Sequence, residues 1–259
     1  PSTYQGKPVT EVYSEGFVGC TNLKSVVIPR TIRLISREAF MDCTSLKSVT
    51  VEGVALNQIG YDVFENCTSL EEFVLDESAP LVYVYASLFA ESPKMREEYE
   101  EENGLYYYRG ILMGDEKTIA AKNFEAEEGE LTSLNIRKGT RSIAALAFWN
   151  YRSADSAERI SSLTVPEGVK YIAYLSLPYV KTLSLPSSLI YLNEGQSALA
   201  TLWWGIEDIT VGTNSRYQMI DGCLVDNREN MVIASERYAD SLPDGYGRIG
   251  VYAFTNKEL

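Results

Sequence analysis

The sequence contains no histidine. That excludes histidine-based triads, the Cys-His pair and the H-E-x-x-H zinc protease helix. Cysteine is scarce, at four residues, and no C-x-x-C occurs, so a cysteine zinc site is not expected. No G-x-x-x-x-G-K-[S/T] phosphate loop is present, and no apolar run approaches the roughly 18 residues that a membrane span needs. Residues Pro1 to Lys7 lack the basic and apolar segments of a secretion signal. Positive charge is also short: 23 Lys and Arg stand against 36 Asp and Glu, a formal net charge of -13. Such a surface repels nucleic acid and anionic membrane, so neither is an expected partner, and it keeps a long molecule soluble. Hydrophobic residues nevertheless make up 45% of the 259-residue chain, enough for a continuous core and against wholesale disorder.

What is present is a period. Cys20, Cys43 and Cys67 recur at near-constant spacing, each followed by Thr, which marks a repeat and not a disulfide pattern. The first copy runs Phe17-Val-Gly-Cys20-Thr-Asn-Leu23-Lys-Ser-Val26-Val-Ile28-Pro29, then Ile32, Ile35 and Ala39-Phe40. The second runs Phe40-Met-Asp-Cys43-Thr-Ser-Leu46-Lys-Ser-Val49-Thr-Val51, then Ile59-Gly60 and Val63-Phe64. The third runs Phe64-Glu-Asn-Cys67-Thr-Ser-Leu70-Glu-Glu-Phe73-Val-Leu75, then Val82, Val84 and Leu88-Phe89. Degenerate copies without the cysteine begin at Leu131, Ile160, Val180 and Ile206, and a half-motif closes at Ala253-Phe254.

The alternation in L-x-x-V-x-I predicts a short strand with one face inward. One such unit cannot bury its apolar side chains alone, so copies must stack in parallel, about 4.8 Å apart. Seven strands of this kind are predicted. Pro29, Pro166 and Pro186 remove an amide donor after the strand and end its ladder. The Phe of each Ala-Phe pair is expected to fill the interior between rungs.

The Ala-Phe, Cys-Thr-(Asn/Ser)-Leu, Val-x-Ile-Pro and Ile-Gly elements closely resemble the BspA-type (Treponema pallidum-like) leucine-rich repeats of bacterial cell-surface proteins. The resemblance is most specific in residues 9–89 and weakens through 149–211. It implies an α/β leucine-rich-repeat solenoid, a right-handed, curved parallel sheet with short helices or 3₁₀ turns on its convex side. It also implies a cell-surface or extracellular module for recognition or adhesion, with a protein of a host or neighbouring cell as partner.

The expected organisation is a single solenoid over 1–259. Regular repeats fill 9–89, an insertion 90–130, degenerate repeats 131–211, a hairpin insertion 212–234 and a partial repeat 235–259. Both insertions read as hairpins, apolar strands around polar turns at Gly114-Asp115 and Asp226-Asn227. The acidic run from Arg96 to Asn103 suggests one or two helical turns, or only a solvated face. Neither end resembles a polar solenoid cap, so the expectation is a stretch of a longer array, or a chain whose terminal rungs are covered by something else.

Several chemical signals are weak. Gly245, Gly247 and Gly250 satisfy G-x-G-x-x-G, but the chain ends too soon for a dinucleotide fold, and the glycines fall at repeat turns. The cysteines read as a column of small buried side chains, since no basic group adjoins them to activate a thiolate. A glycosidase-like carboxylate pair cannot be picked out among 36 acids. No enzyme, cofactor or metal is expected.

Two surfaces remain as candidates. In each strand the residues beside the central apolar position point away from the core, so Ser25, Ser48, Thr50, Glu72, Asn135, Thr164, Thr182, Asp208 and Thr210 should line a concave face. Small hydroxyls there suit a protein or a glycan, although they also suit any solvated strand. The second surface is aromatic: Tyr83, Tyr85, Tyr106, Tyr107, Tyr108, Trp203 and Trp204 could stack on sugars or instead plug irregular parts of the repeat. Three functions follow: protein recognition on the concave face, carbohydrate binding through exposed Tyr and Trp, or a passive spacer in a larger surface protein.

Overall fold

Each turn of the chain contributes two strands, of which the L-x-x-V-x-I segment forms the longer. The computed structural model describes residues 2–76, 79, 81, 83–121, 131–151, 160–192, 206–236, 239, 241–250 and 253–254. Ser25–Ile28, Ser48–Val51 and Glu72–Val74 stack in one parallel ladder, with Val26, Val49 and Phe73 in register. Ser162–Thr164, Thr182–Leu185 and Asp208–Val211 form a second ladder of the same kind. Alternation decides the faces: Val49 and Val51 are buried, while Ser48 and Thr50 stay half-buried on the other side. The shorter strands Glu11–Val12, Leu34–Ile35 and Gln58–Ile59 stack along a separate edge, and bridges through Tyr83 and Tyr85 carry that edge on to Ala145. The result is a parallel β-solenoid with very little helix.

The repeated side chains stack as the period requires. Phe17, Phe40, Phe64 and Phe89 form a column, with near-parallel rings 5.1, 6.0 and 6.0 Å apart between neighbours. Cys43 and Cys67 are fully buried, and each thiol donates to the carbonyl one rung back, Phe17 O and Phe40 O, at 3.1 Å. Cys20, on the first rung, is exposed. The residue before each cysteine, Gly19, Asp42 or Asn66, has φ of 70°, 61° or 58°. Gly, Asp and Asn are the residues that tolerate this left-handed turn.

One expected strand does not form. Six of the seven predicted segments lie in the two ladders, but residues 131–136 carry no ladder pairing. Leu134 and Ile136 still point inward, so the pattern is right and the hydrogen bonding is not. The backbone donors have gone to side chains: Leu131 N–H bonds the Tyr151 hydroxyl at 3.1 Å, and Arg137 N–H the Tyr107 hydroxyl at 3.2 Å. On the facing side, Arg109 Nη1 donates to Leu75 O at 3.0 Å.

The cause is an antiparallel meander of Glu100–Glu102, Leu105–Tyr108 and Ile111–Gly114 between the two blocks. Its turns fall at Asn103-Gly104 and Arg109-Gly110, with both residues of each in the left-handed region, as tight two-residue hairpins require. The expected turn at Gly114-Asp115 is instead a helix start, because the Asp115 carboxylate accepts Thr118 N–H at 2.8 Å and caps Glu116–Ala120. The acidic run is not helical over most of its length. The helical turn Pro93–Arg96 ends where the run begins, and within the run Glu100–Glu102 is an exposed edge strand whose charge discourages further pairing.

The two inner strands of this meander, Leu105–Tyr108 and Ile111–Gly114, pack against a core on each face. Tyr108, Ile111 and Met113 pack into the core of the first block, while Leu105, Tyr107 and Leu112 pack into the core of the second. A second meander, Tyr217–Ile220, Cys223–Asp226 and Met231–Ser235, repeats the device. There Tyr217 and Leu224 face backward and Cys223, Val225 and Val232 face a third, smaller core. Each insertion is therefore a partition between consecutive cores.

Candidate functional site

The candidate face consists of the outward residues of the two ladders. Ser25, Ser48 and Glu72 stand in one register row, and Val27, Thr50 and Val74 in the next but one. In the second ladder Ser162, Thr182 and Asp208 form a row, followed by Thr164, Ser184 and Thr210. Ser25, Glu72, Thr164, Asp208 and Thr210 are exposed, whereas Ser48, Thr50 and Thr182 are half-buried by their neighbours. Asn135 is exposed but belongs to neither ladder, since its segment is the one that forms no strand. The structure thus gathers the predicted residues into two separate patches, with Asn135 between them in sequence. Val27 and Val74, 58% and 41% exposed, add an apolar component to the first patch.

The aromatic candidates do not make one surface. Tyr107 and Tyr108 are buried, as the meander's two-sided packing demands, so neither can meet a ligand. Trp203 and Trp204 lie outside the described residues. Tyr83 and Tyr85 are half-buried in edge-to-face contact at 5.6 Å, and Tyr61 meets Tyr85 at 5.7 Å. Burial pushes both Tyr83 and Tyr85 phenols up, so they remain protonated hydrogen-bonding groups. Tyr85 also packs with Trp149 and Tyr174 over the buried Leu146 and Leu175. Sequence reasoning missed Tyr61, Trp149 and Tyr174. Tyr61 and Tyr174 each stand two residues after the Ile of their turn, which was the available signal; Trp149 follows Phe148 and had none.

Tyr106 is different. It lines an open cleft of about 590 Å³ with Glu101, Asp115, Glu116, Lys117 and Tyr151. Desolvation, then Glu116, Glu101 and Asp115, push its phenol up. The Asp115 carboxylate at the cleft floor is fully engaged. It accepts Thr118 N–H at 2.8 Å, Tyr151 OH at 2.7 Å and Asn150 Nδ2 at 3.2 Å. A buried acid engaged this way anchors the meander to the next rung.

The thiols are equally constrained. Burial raises the Cys67 pKa to about 12 and shifts Cys43 in the same direction, so neither is a thiolate at neutral pH. Among the described residues no group of three or more Cys, Asp or Glu could hold a metal ion. Among them, too, no helix is long and apolar enough to cross a membrane.

Residues 4–102 match the BspA type leucine rich repeat region in six copies. No curated protein matches the chain. A leucine rich cell surface protein from Faecalibacterium prausnitzii A2-165 is similar at 20% identity, with a TM-score of 0.41 over 98% of this chain and 59% of that one. The T. pallidum Leucine Rich Repeat protein is similar at 17% identity and TM-score 0.31, over 82% of this chain and 72% of that one. The Pneumococcal vaccine antigen PcpA follows at 15% identity and TM-score 0.31, over 83% and 72%. The chain spans 59% of the length of the F. prausnitzii relative.

Proposed function

Residues 4–102 being BspA-type leucine-rich repeats, we propose that the protein is a non-catalytic recognition module that binds a protein ligand on its outward ladder faces. The observation that carries this reading is the in-register arrangement of Ser25, Ser48 and Glu72 and of Ser162, Thr182 and Asp208. Rows of short hydroxyls leave the sheet open to a partner, and each row ends on a carboxylate that can select a basic group. Exposed Val27 and Val74 supply apolar area that a solvated strand face does not need. BspA-type repeats typify bacterial cell-surface proteins, so we place the module outside the cell or at its surface.

The test is a binding screen of the purified chain against extracellular-matrix proteins at physiological salt. Saturable binding that is lost when Glu72, Asn135 and Asp208 are all changed to Ala supports the proposal. Binding that survives the triple change moves the site off the ladder faces. No binding to any protein leaves the passive spacer as the better reading.

A carbohydrate reading has one specific observation in its favour. Tyr106 lines the open cleft beside Glu101 and Glu116, which combines a ring with acceptors for sugar hydroxyls. A glycan-array signal abolished by Tyr106→Ala would favour it, and a signal insensitive to that change would remove it.

A further inference from the structure

Two arginines meet where the first meander joins the second block. Arg109 occupies the first central position of its tight turn at φ 50°, a conformation that such turns usually give to Asn, Asp or Gly. Keeping a long cation there sets backbone strain against some other gain. Arg141 lies on the adjacent rung, its N–H bonded to Gly110 O at 2.9 Å. Its Cγ runs within 3.7 Å of the point where a Cβ on Gly110 would stand, so its stem passes beside the Arg109 turn.

Both guanidiniums are held in place by backbone. Arg109 Nη1 donates to Leu75 O at 3.0 Å and its Nε to the Tyr108 hydroxyl at 3.3 Å. Arg141 Nη1 donates to Ala79 O at 3.3 Å, while its Nε is buried with no acceptor. Neither Nη2 makes a hydrogen bond to the described residues. Arg37, Arg137, Arg216 and Arg248 each pair with a carboxylate, but among the described residues none pairs with Arg109 or Arg141. Burial, then the charge of Arg109, lowers the Arg141 pKa, as expected of a half-buried cation beside a like charge. In a chain with 36 acids and 23 bases, an exposed Arg109 beside a half-buried Arg141, with no carboxylate partner among the described residues, is out of keeping with the arginines that pair.

We propose that Arg109 and Arg141 form an oxyanion site, which receives a carboxylate or sulfate group of a ligand between their outward amino groups. An oxyanion there relieves the repulsion, and planar guanidiniums suit its paired oxygens better than ammonium groups do. The backbone bonds to Leu75 and Ala79 hold the donors in place before the ligand arrives, which lowers the ordering cost of binding. The site shares no residue with the ladder-face reading, so either can fail alone.

The test is titration calorimetry of the whole chain with sodium sulfate and with sodium glucuronate, against sodium chloride at matched ionic strength. Saturable binding of sulfate, glucuronate or both is expected, with chloride silent. Sulfate alone would point to a sulfated ligand, and glucuronate alone to a carboxylate. Arg109→Gln and Arg141→Gln should each weaken binding at least tenfold, and Arg141→Lys should weaken it despite keeping the charge. Thermal melts in chloride separate this from a structural role. Relief of repulsion predicts that the Arg141→Gln melting temperature does not fall, whereas loss of a structural bond to Ala79 predicts that it does. A wild-type chain indifferent to both anions, unchanged affinity in both Gln variants, or a lower Arg141→Gln melting temperature would overturn the proposal.

Discussion

Tyr107 and Arg137 hold each other by two contacts. The phenol oxygen accepts the Arg137 backbone N–H at 3.2 Å, and the Arg137 guanidinium lies 4.1 Å over the same ring. The second meander repeats the pairing, since Tyr217 OH accepts Leu192 N–H at 2.9 Å and Arg216 lies 5.0 Å over the ring. In both, a buried phenol supplies the acceptor that a neighbouring strand would otherwise provide. Tyr107→Phe should therefore strand one N–H and cost about 1–3 kcal/mol in urea unfolding. Tyr107→Ala should cost about 3–5 kcal/mol, because it also opens a cavity. A Phe variant as stable as the parent would mean that water replaces the phenol.

Leu46 is fully buried in the middle rung of the first block. Leu46→Ala should cost about 2–5 kcal/mol, since the rungs above and below prevent collapse around the gap. An unchanged melting temperature would refute the register of the repeat.

Gly114 ends the first meander at φ 126°, and a Cβ there would stand 2.5 Å from Ala147 O. Strain and clash act together, and Gly114→Ala should destabilise by about 2–4 kcal/mol. Gly19→Asn is the control. It has φ 70° with open space around it, and Asn66 holds the equivalent place in its own repeat. That change should stay within about 0.5 kcal/mol. Equal effects from the two changes would show that the close approach at Gly114 does not matter.

The cysteines should differ in reactivity. Cys20 is exposed, whereas Cys43, Cys67 and Cys223 are buried. A raised pKa means less thiolate at any given pH, and Cys67, at about 12, remains a thiol at pH 8. Iodoacetamide at pH 8, followed by peptide mass spectrometry, should label Cys20 first and reach the others only on unfolding. Fast labelling of Cys67 in the folded chain would contradict its place in the core.

Much of the fold was legible because the repeat states the same instruction several times. Val26, Val49 and Phe73 recur at one offset from the cysteine, as Leu163, Leu183 and Ile209 do without it, and every one of these columns proved to be in register. The candidate site was legible only as a set of outward positions. Residues 131–136 carry the same apolar spacing as their neighbours, and nothing local distinguishes a segment whose donors will go to Tyr107 and Tyr151. The run Tyr106-Tyr107-Tyr108 gave no sign of burial, because aromatic residues in an irregular stretch suit a surface as well as a core.

By itself the sequence determined the parallel stacking, the inward faces and the presence of two inserted hairpin regions, because each follows from spacing along a few residues. Only the tertiary structure decided that the inner strands of both meanders pack against a core on each face, that the ladder breaks between Val74 and Ser162, and that Arg109 comes to lie beside Arg141. Those outcomes depend on which residues meet across more than thirty positions of chain, and no local period encodes such a meeting.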